Sequence, residues 1–520
     1  MRAIVSAYVL AAVGLLIVYS PALRGGFVWD DVAYLRDTAP VQAADGLRRI
    51  WFTTEGRDYY PVTYSVFWLE WHLFGGNTTG YHIVNILLHA AGAVLLWQLL
   101  KQLQIPGAWL GALLFAVHPV NVPSVAWISE LKNVLTLPFA LLAVLFFDRY
   151  QRDGRRTLYA FSLLAFLLAL LSKSAVVGLP VVLLALVWWR KPQLNGGDWL
   201  RLVPFAAIAG TMGLVTLWFQ QYRALAGETV LRSDWLERCG TAGWAWWFYL
   251  FKSVVPVRLS MLYPQWHFDA RSLLTYLPTL SILAVAAWLW SRRGEWGRPW
   301  LVALVSYGAL LFPVLGFFDG GFYVYARVAD HWQYFALPVI CALAGAGIQR
   351  ALAGGRQRER LASVCIGLFV LALATGSWSR AWAFRSDEAL WTTTLEQYPD
   401  NWFAHYCLAN HLARRGESES AMTHYRSAIR AHPTYAPAHY NLAVLLAGKQ
   451  MFAEAAEHMA EACRLKPGQF ECEYKLGLMH LELNQREQAL ICLREAVRLR
   501  PDYAPATEAL AWLLAQDTPR

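Results

Sequence analysis

Tyr81-His82-Ile83-Val84-Asn85-Ile86-Leu87-Leu88-His89-Ala90-Ala91-Gly92-Ala93-Val94-Leu95-Leu96-Trp97-Gln98-Leu99-Leu100 contains no Asp, Glu, Lys or Arg. A helix of about 20 residues rises about 30 Å, the thickness of the hydrocarbon core of a bilayer. Comparable apolar stretches occupy residues 4–19, 108–122, 134–147, 158–171, 175–189, 202–219, 273–290, 300–318, 332–348 and 361–378. The sequence therefore predicts an all-α, polytopic membrane bundle of about eleven spans. Composition agrees: of 520 residues 57% are hydrophobic and 16% charged, and the mean hydropathy is +0.33. A soluble core does not need that much apolar surface.

The net charge of +9 does not point to nucleic acid, because the basic residues are spread over short loops instead of forming one face. In a membrane protein such loops report topology. A cytoplasmic N-terminus puts Lys101, Arg149, Arg152, Arg155, Arg156, Arg190, Lys191, Arg292, Arg293, Arg350, Arg356, Arg358 and Arg360 inside. The aromatic segment 244–257 is read as a helix lying in or re-entering the outer interface and ended by Pro256, since a twelfth span would reverse the later loops. The first stretch is taken as an uncleaved span and not a signal peptide. The C-terminal part is then expected outside, in the periplasm beyond a bacterial inner membrane or in an equivalent lumen. Seven cysteines without CxxC spacing give no zinc site or disulfide framework, and all seven are read as structural, although Cys463 and Cys472 could pair given an oxidising compartment and a suitable geometry.

Asp30 and Asp31 follow the first stretch, in Gly25-Gly26-Phe27-Val28-Trp29-Asp30-Asp31. Two carboxylates beside a hydrocarbon boundary are expensive and mark chemistry or ion handling. On the same expected side, the outer turns keep Lys132, Lys173 and Arg327 where charge bias alone would leave none. Either these are interfacial anchors and partners of Glu130, Asp319 and Asp330, or they form a cationic pocket suited to a lipid phosphate. His82 and His89 share a helix face with Asn85, and His118 precedes Pro119; singly each reads as a satisfied buried group, together as a polar chamber.

The C-terminal part is periodic. Pro399, Pro433, Pro467 and Pro501 recur every 34 residues, with small residues at matching positions: Ala409, Ala421 and Ala428, then Ala443, Ala455 and Ala462, then Gly477, Ala489 and Ala496. This is the signature of a tetratricopeptide-repeat solenoid. The expected division is a membrane domain over 1–380, with its first outer loop at 21–80, and a repeat domain over 386–520. Its repeats fall near 402–435, 436–469 and 470–503, after a half-repeat at 386–398 and before a capping helix at 504–516. Asn410, Asn441, His405, His439 and Tyr440 are the candidates for holding an acceptor or partner polypeptide in its groove.

FVWDD (27–31), GYHIVNILLH (80–89), HPVNVPSVAWISELKNVL (118–135), SKSAVVGLP (172–180) and ADHWQYFALP (329–338), with the terminal repeats, form a set that resembles the transmembrane and tetratricopeptide-repeat containing proteins. These are similar to membrane glycosyltransferases of the GT-C class, protein O-mannosyltransferases among them. The resemblance implies an inverting transfer of sugar from a polyprenyl-phosphate carrier, a donor substrate and not a bound cofactor, to a hydroxyl acceptor on the outer side, without a metal. It places catalysis on Asp30 and Asp31, and donor binding on Lys132, Lys173, Arg327, His331, His82 and His118. The chain departs from the family pattern in having Pro123 for a glutamate, Leu131 for an arginine, Ser174 for a proline and His331 for an arginine.

The chemistry has its own logic. A polyprenyl phosphate leaves as an anion and needs cations or N–H donors, whereas an attacking hydroxyl must lose a proton to a base. Neighbouring Asp30 and Asp31 project differently and do not form the facing carboxyl pair of a glycosidase. Asp30 is read as the base and Asp31 as an orienting group, or the reverse. The rival classes are a repeat scaffold on a membrane anchor and a lipid or solute transporter; no internal repeat of transporter type is evident.

Overall fold

A computed structural model describes residues 2–225, 234–266, 268–352 and 356–516; the side chains of Arg356, Arg358 and Arg360 lie outside that description. Every regular element among the described residues is helical, and the chain divides into two compact units, residues 1–390 and 391–520.

The first unit opens with α1 (Arg2–Val18), followed by a long loop carrying α2 (Ala39–Gln42), α3 (Gly46–Phe52) and α4 (Pro61–Phe74). Then come α5 (Thr78–Gln102), α6 (Ala108–Ala116), α7 (Val122–Ala126), α8 (Leu131–Asp153), α9 (Arg156–Ser172), α10 (Leu179–Arg190) and α11 (Gly196–Phe219). The unit continues with α12 (Trp235–Val254), α13 (Leu277–Ser291), α14 (Gly297–Leu311), α15 (Leu337–Ala351) and α16 (Arg356–Ala381). Each of the eleven apolar stretches carries a helix, but they differ in length. Among the described residues, five helices (α5, α8, α11, α14 and α16) are long and apolar enough to cross a membrane, and α6 with residues 119–126 makes a sixth if that pair, bent by 47°, is one span. Helices α1, α9, α10, α13 and α15 are apolar too but shorter. A hydropathy window runs through the bend without registering it. Its cause is local: His118, before Pro119, is extended at φ −73°, ψ 126°, as the proline ring requires of its predecessor.

Helix α8 is the most enclosed of the long helices and packs along α5 and α9. Its charged residues gather at its ends, Glu130 and Lys132 at one and Asp148 and Arg152 at the other. Twenty helical residues separate Lys132 from Arg152, about 30 Å, which matches a hydrocarbon core. Helices α6 and α15 approach through glycine: a Cβ on Gly345 would lie 2.7 Å from the Gly111 nitrogen. The expected interfacial helix at 244–257 is the second half of α12, which ends at Val254, before Pro256. It buries Thr241, Trp246 and Tyr249 while exposing Trp244, Trp247 and Phe251.

The second unit follows from α17 (Asp387–Gln397) and contains three helix pairs, α18 (Trp402–Arg414) with α19 (Ser418–Ala431), α20 (Ala436–Gly448) with α21 (Phe452–Leu465), and α22 (Phe470–Glu482) with α23 (Arg486–Leu499), then α24 (Ala504–Ala515). The periodic small residues sit where the helices of each pair meet. Ala409, Ala421, Ala428, Ala443, Ala455, Ala489 and Ala496 are fully buried, and a Cβ on Gly477 would come within 2.9 Å of Leu493. The cysteines need a correction: Cys463 of α21 and Cys472 of α22 form a disulfide, with Cα atoms 5.8 Å apart. Sequence spacing cannot reveal this, because it depends on how one repeat stacks on the next.

Candidate functional site

The loop after α1 is fixed before its acids are placed. Gly25 packs so closely on the 384–385 backbone that a Cβ would meet the Phe384 oxygen at 3.0 Å, and the Gly26 N–H donates to Arg385 O at 3.0 Å. Trp29 takes a left-handed φ of 46°, a strained conformation for a bulky residue. Its N–H donates to Asp387 Oδ1 at 2.9 Å, and its indole stacks on Trp127 at 5.3 Å with the planes 4° apart. This turn separates the fates of the two aspartates that follow.

Asp31 is fully buried and spent on backbone: Val28 N–H donates to Oδ2 at 2.9 Å and Ser129 N–H to Oδ1 at 2.7 Å. It thereby ties the first loop to the turn before α8. Burial outweighs these bonds and pushes its carboxyl up to about 7. Asp30 is half-buried and accepts no hydrogen bond among the described residues. Burial raises its pKa; Lys132 and then Arg57 pull it down, while Glu130 and Asp58 push it up.

Around Asp30 stands a charged cluster. Lys132 Nζ pairs with Glu130 Oε1 at 3.0 Å and lies 4.6 Å from the Tyr34 ring centroid. Lys173 Nζ reaches Glu130 Oε2 at 3.3 Å and donates to Asn133 Oδ1 at 2.8 Å. One carboxylate thus holds two ammonium groups side by side. Lys173 sits in the break between α9 and α10, where burial lowers its pKa to about 8. His331 closes the cluster. Its ring meets Trp127 at 5.7 Å and Phe322 at 5.3 Å, its carbonyl accepts from Asn133 Nδ2 at 3.2 Å, and its buried Nδ1 has no partner. Burial takes its pKa down to about 3, so the ring is neutral.

Of the residues expected at the site, the structure brings Asp30, Lys132, Lys173 and His331 together. His82 lies beneath, against the backbone of Gly25 and Ala126. His118 is elsewhere: its Nδ1 accepts from Val120 N–H at 3.3 Å and its Nε2 meets Ser253 O at 3.1 Å, so it shapes the bend. Arg327 engages a different set, donating to Thr241 Oγ1 at 2.6 Å and lying over Tyr323. Asp330 pairs with Arg380 at 2.6 Å. Sequence reading missed Asp58, which accepts from the Tyr34 hydroxyl at 2.8 Å and from Gln220 Nε2 at 2.6 Å. Nothing local distinguishes it; only the fold of the loop carries it to Asp30. Among the described residues no three His, Cys, Asp or Glu side chains converge as a metal-ligand set.

In the repeat unit, Asn410 Oδ1 accepts from Asn441 Nδ2 at 2.9 Å and from the Tyr425 hydroxyl at 2.5 Å, linking adjacent repeats. Tyr440 and Asn441 line a groove of about 490 Å³ together with Lys466, Gln469, Phe470 and Glu471. His405 is turned into its own repeat: Nδ1 lies 2.9 Å from His424 Nδ1, and Nε2 lies 2.8 Å from Pro399 O. His439 repeats the arrangement with His458 at 3.1 Å and Pro433 O at 3.0 Å. Both histidines are therefore occupied within the solenoid.

Residues 58–218 match the family described as dolichyl-phosphate-mannose-protein mannosyltransferase, and residues 385–436, 408–470 and 474–503 match tetratricopeptide repeats. The protein O-mannosyl-transferase F38B6.6 of Caenorhabditis elegans is 24% identical over 444 residues, covering 81% of this chain and 62% of that protein. The protein O-mannosyl-transferase TMTC4 of Homo sapiens is 25% identical over 496 residues, covering 79% and 64%. The chain thus spans somewhat under two thirds of the length of these relatives. A crystal structure of MamA is 18% identical, with a TM-score of 0.24, over 25% of this chain and 70% of that one. The family resemblance carried by the sequence motifs is borne out by the family and relative matches.

Proposed function

From this similarity to protein O-mannosyl-transferases, we propose that the chain is a multi-pass membrane glycosyltransferase that moves a sugar, mannose by analogy, from a polyprenyl-phosphate carrier to a protein hydroxyl. The observation that carries the reading is Asp30: a half-buried carboxylate without a hydrogen bond, near Lys132, which shares the Glu130 carboxylate with Lys173. A carboxylate left unpaired next to cations suits a base whose partner arrives with the substrate.

In this reading the acceptor hydroxyl attacks the anomeric carbon while Asp30 takes its proton, and the bond from that carbon to the phosphate oxygen breaks on the opposite face, inverting the centre. The phosphate leaves with the bonding electrons. Two ammonium groups carry six N–H donors, of which Glu130 and Asn133 use three, so three remain for the departing oxygens. Glu130 offsets the repulsion between the lysines and keeps them paired in position. The unpartnered Nδ1 of neutral His331 supplies a further donor or acceptor. Asp31 acts through structure, holding the loop that presents Asp30.

The topology proposed is eleven crossings from a cytoplasmic N-terminus, the five shorter apolar helices crossing with the help of their neighbours. The cluster and residues 391–520 then lie on the extracytoplasmic side of a plasma membrane. The Cys463–Cys472 disulfide supports that side for the repeats, because such bonds persist in oxidising compartments. The repeat groove receives the acceptor protein at Tyr440 and Asn441. The test is to supply purified protein with a radiolabelled polyprenyl-phosphate mannose and an unfolded secreted protein. Acceptor-dependent release of polyprenyl phosphate is expected; intact donor after many hours, with a folded protein, would remove the enzymatic reading.

A further inference from the structure

A second polar site lies at the other end of α8. Its last turns and the end of α10 enclose a cavity of about 180 Å³ with Asp148, Gln151, Arg152, Arg190 and Lys191 in its lining and an apolar wall that includes Leu186. Asp148 is saturated: Oδ2 accepts from Arg152 Nη2 and Gln102 Nε2, each at 2.6 Å, and Oδ1 pairs with Arg190 Nη2 at 2.6 Å. The lining carries three cations against this one carboxylate, with Lys191 also pairing outside it to Asp198 at 2.9 Å. The amide Nε2 of Gln151 is buried and has no hydrogen-bond partner. A buried donor left without an acceptor is destabilising, so this amide has room for an acceptor that the protein does not supply.

We infer that this cavity binds the phosphate of an anionic glycerophospholipid, with Arg152, Arg190 and Lys191 offsetting its charge, Gln151 Nε2 donating to a phosphate oxygen and an acyl chain following the apolar wall. The position suits a lipid. The cavity sits at the C-terminal ends of two apolar helices, where a hydrocarbon core gives way to headgroups, and basic pockets between such helices attract anionic lipids. Arg149 lies among the cavity residues in sequence, Arg155 and Arg156 follow them, and all three extend the positive field. About 30 Å of helix separates the cavity from Lys132, so this is not part of the cluster around Asp30. The inference does not depend on the proposed transferase activity.

The experiment is thermal unfolding of the purified full-length protein in neutral detergent, titrated with phosphatidylglycerol, phosphatidylcholine or inorganic phosphate. Phosphatidylglycerol is expected to raise the midpoint by about 2 °C or more, and the other two by less than half as much. Gln151→Leu breaks no existing hydrogen bond, so it should keep the lipid-free midpoint and lose at least half of the phosphatidylglycerol shift. Arg190→Gln should lose most of the shift too, from a lower starting midpoint because Asp148 loses a partner. An equal shift with phosphatidylcholine, a full shift with inorganic phosphate alone, no shift with phosphatidylglycerol, or a full shift retained by both variants would overturn the assignment.

Discussion

Asp30 and Asp31 are neighbours in the chain with opposite physical situations, and the left-handed turn at Trp29 makes the difference. The sequence could not show this difference, because the N–H of Ser129, which claims Asp31, lies 98 residues away. Asp31→Asn keeps the shape but sets an amide NH2 against a backbone N–H, and should lower stability by about 1–3 kcal/mol in thermal melts. Asp31 also sets a pH signature. Its folded pKa of about 7 exceeds the unfolded 3.8, so the folded state binds the extra proton between them. Stability from this group is therefore full below about 3.8 and is lost as pH rises through about 7. Melting midpoints at pH 5 and pH 7 should differ less in Asp31→Asn than in the wild type, and identical differences would remove the assignment. As the proposed base Asp30 would work ionised, and burial raises its pKa, so the transfer rate should fall with acid earlier than an ordinary carboxylate near 3.8 would allow.

At the scale of elements, the repeats were legible in full and the site only in part, for one reason. Ala409, Ala421 and Ala428 pack within a single 34-residue unit, so the pattern that selects them is written locally. Asp58, Tyr34 and Lys132 meet only through loop and helix packing across the first unit, which no period records. The repeats also carry a buried acid sensitivity. Burial lowers the pKa values of His405, His424 and His458 from 6.5, so the unfolded chain takes up protons first as pH falls. Stability from these residues is complete above about 6.5 and is lost below it. Amide hydrogen exchange in α18 to α21 should be faster at pH 5.5 than at 7.5 after correction for intrinsic rates, whereas unchanged protection would contradict the pairing. Reducing Cys463–Cys472, which brackets the Lys466 to Glu471 wall of the groove, should destabilise α21 and α22 by about 2–4 kcal/mol, read by the same exchange measurement.

For the whole molecule, the decisive arrangement is α8 with a charged cluster at each end and an apolar, enclosed middle. Composition made the membrane class legible, and the basic loops suggested a topology. The number of crossings was not legible, because hydropathy counts apolar residues and ignores where a helix bends or stops. Asp37 and Arg155 are both exposed; Arg155 follows the C-terminal end of α8, and Asp37 lies in the loop that Asp31 ties to the turn before its N-terminal end. Cysteines introduced as Asp37→Cys and Arg155→Cys, in a background without Cys239 and Cys365, should label from opposite sides of sealed cells with an impermeant maleimide, the first from outside. Labelling of both from one side would refute the crossing. The central claim, that Asp30 is the base of a glycosyl transfer, is tested most directly by initial rates of mannose transfer from a polyprenyl-phosphate donor to an acceptor protein with wild type and Asp30→Asn, matched for melting midpoint. The account predicts a loss of about 10²- to 10⁴-fold in rate with an unchanged fold; a folded Asp30→Asn protein that transfers at the wild-type rate would contradict it.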